Sequence, residues 1–242
     1  AGMKLPALLQ SWEASTYDLR VQWRGPAPAS DRLVLIGRDG ESDARFGVGL
    51  WDRAHFATVI AGLHRAGAAV IALDFHMAEE SPPERGGAAS DRALVEATAT
   101  AGTVVYPIPL TLREAASAAP SPSPAASSPI AASQSFDPSV LQALPQAVVL
   151  GTPFPALAHA AGAVGHIGAI PDPDGVYRRV PTFVQAGGQA IPALGVAVAA
   201  AYLHVPPDRI SLVPGQVLTF RDAAFPDGTT RTLSLPVDRT GS

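Results

Sequence analysis

Cysteine is absent from the 242-residue chain. Disulfides, thiolate nucleophiles and cysteine-ligated metal centres are excluded together, and the absence is compatible with an oxidising compartment. Charge is scarce too, since Asp, Glu, Lys and Arg make up 16% of the residues and alanine fills much of the difference. The formal net charge is -4 and no run of lysine or arginine gathers. That removes the basic face needed to displace phosphate counterions, and with it a nucleic-acid partner. Long apolar runs are missing: a spanning helix needs about 20 such residues, and the best stretch, 193–203, is too short and follows Pro192. No basic-then-apolar signal segment opens the chain. Ala1-Gly2-Met3 reads as an expression remnant, and the chain as a portion of a longer protein. No Gly-x-Ser-x-Gly elbow, Walker loop or Gly-x-Gly-x-x-Gly follows a predicted strand. No cofactor is called for.

What is present reads as one large α/β domain over 1–242, a central mixed sheet with a parallel βαβαβ core and helices packed against it. Leu8, Leu9, Trp12, Leu19 and Trp23 recur at helical spacing and predict an amphipathic N-terminal helix over 5–24, stopped by Gly25-Pro26-Ala27-Pro28. Leu33-Val34-Leu35-Ile36 is a continuous apolar run, the pattern of a strand buried on both faces. Asp52 is placed to cap a helix carrying Phe56, Val59, Ile60 and Leu63 inward, with Gly67 at its stop. A second strand over 69–73 ends at Asp74. Ser90 or Asp91 caps the next helix, Gly102 ends it, and a third strand follows over 103–108. Short joints between these elements imply right-handed crossovers and a parallel sheet. Residues 115–135, nearly all alanine, serine and proline, lack apolar anchors. They suit a disordered insertion or an interdomain linker, and the continuing sheet pattern beyond them favours the insertion. Further expectations are a strand at 146–150, a short helix at 154–161, a hairpin of 164–170 with 176–184, a helix at 193–203, and a strand pair at 216–220 and 231–235.

The candidate ligand-binding residues follow from this layout. Asp39 and Asp74, after the first two apolar runs, are expected at the carboxyl ends of adjacent strands, where open α/β sheets hold ligands. Arg178 and Arg179 alternate sides if they lie on a strand, so one can point inward and pair with Asp74 or Asp39 or contact a ligand. His166, two residues before Gly168, is a structural group or a ligand contact. Asp74-Phe75-His76 has the form of the first ligand pair of a metal-dependent phosphoesterase, but the later ligand motifs such a site needs are missing. Asp172-Pro173-Asp174-Gly175 has the spacing of a calcium-loop opening, yet Tyr177-Arg178-Arg179 puts positive charge where oxygen donors belong. It is better read as a turn, with Gly175 at positive φ. No metal ligand is assigned.

Four segments resemble one family. Tyr17-Asp18-Leu19-Arg20, the strand Ala66-Gly67-Ala68-Ala69-Val70-Ile71-Ala72-Leu73-Asp74-Phe75, the helix start Ser90-Asp91-Arg92-Ala93-Leu94, and Gly165-His166-Ile167 through the Asp-Gly turn to Arg178-Arg179-Val180-Pro181 are similar, in this order, to the second type of CHASE domain. These are the cyclase and histidine-kinase associated sensory extracellular modules of bacteria. Asp39 fits the acidic loop that the family carries after its first strand. Gly49-Leu50-Trp51-Asp52-Arg53 stands where the family has a Trp-Pro-Trp-Pro-Arg type segment, and departs from it. The resemblance implies a periplasmic signal-input domain without catalysis of its own. It also implies flanking transmembrane helices, a cytoplasmic nucleotide cyclase or kinase, an unidentified small-molecule or envelope ligand, and a homodimer paired through the N-terminal helix. The alternatives are a free-standing metal-dependent hydrolase and an envelope protein-interaction module.

Overall fold

The computed structural model describes residues 7–113, 136–172, 174–238 and 241–242. The insertion expected at 115–135 lies outside them. The chain divides into two compact units: Ala1–Gly49 with Pro171–Arg178, and Leu50–Ile170 with Arg179–Ser242.

The smaller unit contains α1 (Ala7–Arg24) and α2 (Gly40–Phe46). α1 ends at Gly25, whose φ of 69° is costly for residues with a Cβ. Its one clear departure from expectation is Leu33-Val34-Leu35-Ile36, which forms no strand and leaves all four side chains exposed. A short apolar run becomes a buried strand only where a hydrogen-bonded neighbour and a covering layer meet it. The described residues of this unit contain no strand to pair with.

The larger unit is α/β. α3 (Arg53–Arg65) is capped by Asp52, whose carboxylate accepts from Ala54 N at 2.8 Å. It leads into β1 (Ile71–Ala72), α4 (Gly87–Ala101) and β2 (Val104–Ile108). β3 (Leu110–Arg113), α5 (Pro138–Ala143), β4 (Gln146–Val149), α6 (Pro155–Ala160) and β5 (Ala163–His166) follow. Then come β6 (Phe183–Ala186), β7 (Gln189–Pro192), α7 (Leu194–Tyr202), β8 (Ile210–Val213), β9 (Val217–Ala224) and β10 (Thr230–Pro236).

Three sheets result. The first, β1-β2-β5, is wholly parallel; the second, β3-β4-β6-β7, is mixed; the third, β10-β9-β8, is antiparallel. The parallel core therefore exists, but it is completed by β5 rather than by 33–36. The hairpin expected around 171–175 is corrected in the same way. β5 pairs with β2 and β6 with β7, and Pro171 and Pro181 put residues without an N–H donor into what would have been its arms.

β2 is buried along its whole length, as a central parallel strand must be. Phe56 and Ile60 of α3, Leu94 of α4 and Leu157 of α6 cover Ile71, Val104 and Tyr106. The Tyr106 hydroxyl meets Thr98 Oγ1 at 2.7 Å, so a buried polar tip is satisfied, and burial pushes its pKa up to about 12. On the other face α7 lies so close that a Cβ on Gly165 would stand 2.6 Å from Leu194 Cα.

Candidate functional site

The carboxyl edge of the parallel sheet is where the fold gathers the expected site residues of the larger unit. Leu73 N donates to Val105 O at 3.0 Å, and Ile108 is in register with His166. Continued by one residue, the ladder sets Asp74 level with Pro107 and Gly165. With neighbouring strands about 4.8 Å apart, Asp74 and His166 stand roughly 10 Å from one another along this edge.

Asp74 is exposed. His76 is exposed as well, and its Nε2 lies 2.9 Å from the point a Cβ on Gly151 would occupy. The loop after β1 and the loop after β4 thus meet over a residue without a side chain. Phe154 N donates to Met77 O at 2.9 Å across the same junction.

His166 is different in kind. It is 1% exposed, and among the described residues neither ring nitrogen finds a hydrogen-bond partner. Burial drives its pKa down to about 4, against a smaller opposing pull from the nearby backbone of Pro181 and Gly168, neither of which meets the ring in true hydrogen-bond geometry. The imidazole is therefore neutral above mildly acidic pH. Gly165 faces α7, so His166, the next residue of β5, faces the opposite side of the sheet.

Asp39 has a local task. It is the N-cap of α2, accepting from Ser42 N at 2.8 Å and Ser42 Oγ at 2.6 Å, and these bonds hold its carboxyl below the usual range. Because 33–36 is not a strand, Asp39 does not stand at a strand end as expected. It belongs to the smaller unit and Asp74 to the larger.

Arg178 does not lie on a strand either, and its partners are neither Asp39 nor Asp74. Its side chain is 4% exposed. Nε and Nη2 donate to the two carboxylate oxygens of Asp18 at 2.8 and 2.6 Å. Nη1 donates to Asp172 at 2.8 Å and to Asp174 at 2.9 Å, and Nη2 reaches Asp174 again at 2.7 Å. These bonds hold the arginine in its charged form and lower the pKa of Asp18, and that of Asp174 to about 2. Asp172 and Asp174 serve the guanidinium rather than opening a cation loop. Arg179 is half-exposed and stands 3.6 Å from Asp238.

Two constellations escaped the sequence reading. The first is Asp18 as the partner of Arg178, 160 residues away. The second is a buried knot at the facing starts of α3 and α4. Arg53 Nη1 donates to Asp91 Oδ1 at 2.5 Å, Nη2 reaches Glu79 O, Asp91 Oδ2 accepts from Ser81 N at 2.9 Å, and the guanidinium lies 4.9 Å from the Phe154 ring centroid. α4 begins at Gly87, so Ser90 and Asp91 are not its caps but face α3 from its first turns. Ser90 Oγ donates to Asp52. The signal was the arginine of Gly49-Leu50-Trp51-Asp52-Arg53 beside Ser90-Asp91, two segments already notable separately.

No group of three or more His, Asp or Glu side chains among the described residues is arranged to hold a metal ion. The hydrolase reading of Asp74-Phe75-His76 thus gains no ligand set there.

The family model of the CHASE2 domain matches residues 1–242. The chain belongs to the CHASE2 family. No curated protein and no solved structure matches it. A CHASE2 domain is an extracellular sensory part of a membrane receptor, so the role of this chain is sensory. In this CHASE2 domain, Tyr17-Asp18-Leu19-Arg20 supplies the carboxylate bound by Arg178, and the Asp-Gly turn supplies the other two. No helix among the described residues is long and apolar enough to cross a membrane.

Proposed function

We propose that this CHASE2 domain is the periplasmic signal-input module of a bacterial transmembrane receptor. It takes a small-molecule or envelope ligand at the carboxyl edge of the parallel sheet, beside Asp74, His76 and His166. It works as a homodimer paired through α1 and drives a cytoplasmic nucleotide cyclase or histidine kinase through flanking transmembrane helices.

The observation that carries the reading is the state of α1. Trp12, Leu19 and Trp23 are 68%, 64% and 90% exposed. Their spacing of seven and four residues puts them on one stripe within about 40° of helix arc. Two exposed tryptophans in line with a leucine form an apolar surface that a helix standing alone in water does not keep, and such surfaces mark partner contacts. On a receptor domain the self-complementary solution is a two-fold dimer, the commonest closed symmetry. His166 supports the ligand half of the reading: a fully buried imidazole with no partner among the described residues, at the edge where parallel sheets take ligands, invites explanation by binding.

Sedimentation of the 242-residue chain against Trp12→Glu tests the pairing. We expect concentration-dependent dimerisation of the wild type, weak because the membrane normally supplies effective concentration, and its loss in a variant that stays folded. A wild type that remains monomeric at high concentration contradicts pairing through α1.

A further inference from the structure

α1 has a second face. Asp18 lies about 100–140° around the helix from the Trp12, Leu19 and Trp23 stripe. Of the side chains between Trp12 and Arg24, just Ala14 and Asp18 are even partly covered, and these two are one turn apart. A helix of 18 residues is marginal alone in water, and from Trp12 to Arg24 this one has little burial to hold it. What holds Asp18 is a two-point bond to Arg178.

We propose that Arg178 is a positioning residue, a latch that fastens the N-terminal helix to the Pro171–Arg178 loop so that a displacement of the loop becomes a displacement of the helix. The inference rests on the proposed pairing of α1 in a receptor with flanking transmembrane helices, and deepens it by naming the residue through which the signal leaves.

The geometry suits a mechanical link. A guanidinium has five N–H donors in one plane, and Arg178 spends all five on Asp18, Asp172 and Asp174. The paired bonds to Asp18 from Nε and Nη2 fix orientation as well as distance, so rotation is carried along with translation. The other end is itself rigid. Gly175 N donates to Asp172 O at 2.8 Å, Asp172 N to Val176 O at 2.9 Å, and Val176 N to Asp174 Oδ1 at 3.1 Å. Gly175, at φ 81°, permits this turn. The loop leaves the larger unit after Ile170, shortly beyond His166, and the chain re-enters that unit at Arg179. The latch is thus continuous, through the backbone, with the strand that ends at the proposed ligand edge. The lowered pKa values of Asp18 and Asp174 keep it ionised at ordinary pH, as suits a transmitter rather than a titrating switch.

Hydrogen exchange on the 242-residue chain tests the latch without any ligand, using Asp18→Asn, Arg178→Gln and, as control, Arg179→Gln. We expect α1 amides to exchange about tenfold faster in the first two, as loss of a charged hydrogen-bond pair implies. Amides of β2 and β5 keep wild-type protection, and Arg179→Gln leaves α1 unchanged. Should Arg178→Gln loosen the whole chain, Asp18→Asn decides, because Arg178 then keeps Asp172 and Asp174. Wild-type exchange of α1 in Asp18→Asn overturns the latch. That outcome leaves ligand sensing standing, whereas monomeric behaviour of the wild type with an intact latch removes the pairing alone.

Discussion

His166 shows how one buried residue links the fold to its chemistry. An imidazole whose folded pKa is near 4, against an ordinary 6.5, binds its proton more readily in the unfolded chain. Its contribution to stability is complete above pH 6.5 and is lost as pH falls toward 4. The slope in that window is up to about 1.4 kcal/mol per pH unit. The lowered carboxylates Asp18, Asp39, Asp52, Asp137, Asp174 and Asp227 lose their contribution as pH falls below their ordinary 3.8, under the histidine's window. Urea unfolding between pH 7.5 and 4 should show this slope in the wild type and a flatter profile in His166→Leu. Identical profiles would mean that His166 finds a partner in solution. The sequence placed His166 near the end of a strand but not its isolation, because burial of both nitrogens depends on what sheet register and long-range packing bring around the ring. Asp39 failed in the opposite direction. An aspartate three residues before a serine is already a complete local cap, and that local bond outweighed the placement inferred from a strand that did not form.

At the scale of elements, legibility followed the range of the forces involved. α3, α7, the body and glycine stop of α4 and the parallel pairing of β1 with β2 were readable because capping, helical spacing and continuous apolar runs are local signals. β6, β7 and β8 were unmarked or blurred, since strands of four residues carry too short a period to stand out from neighbouring loops. The run at 33–36 carried the apolar signal without the pairing. Arg178 and Asp18 could not be matched from sequence, because a contact between positions 160 apart has no periodicity. Gly165 illustrates what such packing costs. Its neighbour across the gap is backbone, Leu194 Cα at 2.6 Å and Leu194 N at 2.8 Å from a built Cβ, so nothing flexible can yield. Gly165→Ala should destabilise the chain by about 1–3 kcal/mol as α7 is pushed off β5. Gly62→Ala, in open space on α3, should be neutral or stabilising by up to about 1 kcal/mol. Equal thermal midpoints for the two variants would contradict the close approach of α7.

For the whole molecule, the proposed route outward runs along the chain from the sheet edge to the loop fastened by Arg178 and on to a helix with an uncovered aromatic stripe. Each part has its own chemistry, and the route exists only if α1 pairs and its pairing matters to the receptor. These 242 residues carry no cysteine, so one introduced thiol can report on α1 once any cysteine elsewhere in the receptor is replaced. A single Trp23→Cys substitution introduces the chain's sole thiol at a 90% exposed position of the stripe. In the intact receptor in its own membrane, under oxidising conditions, we expect a disulfide-linked dimer together with a shift in cyclase or kinase output. Reductant should reverse both. A substitution at the exposed Val213, far from α1 in sequence, gives the comparison. If Trp23→Cys cross-links no more than Val213→Cys, or cross-links fully while the output stays at its uncross-linked value, signal input through paired N-terminal helices is contradicted.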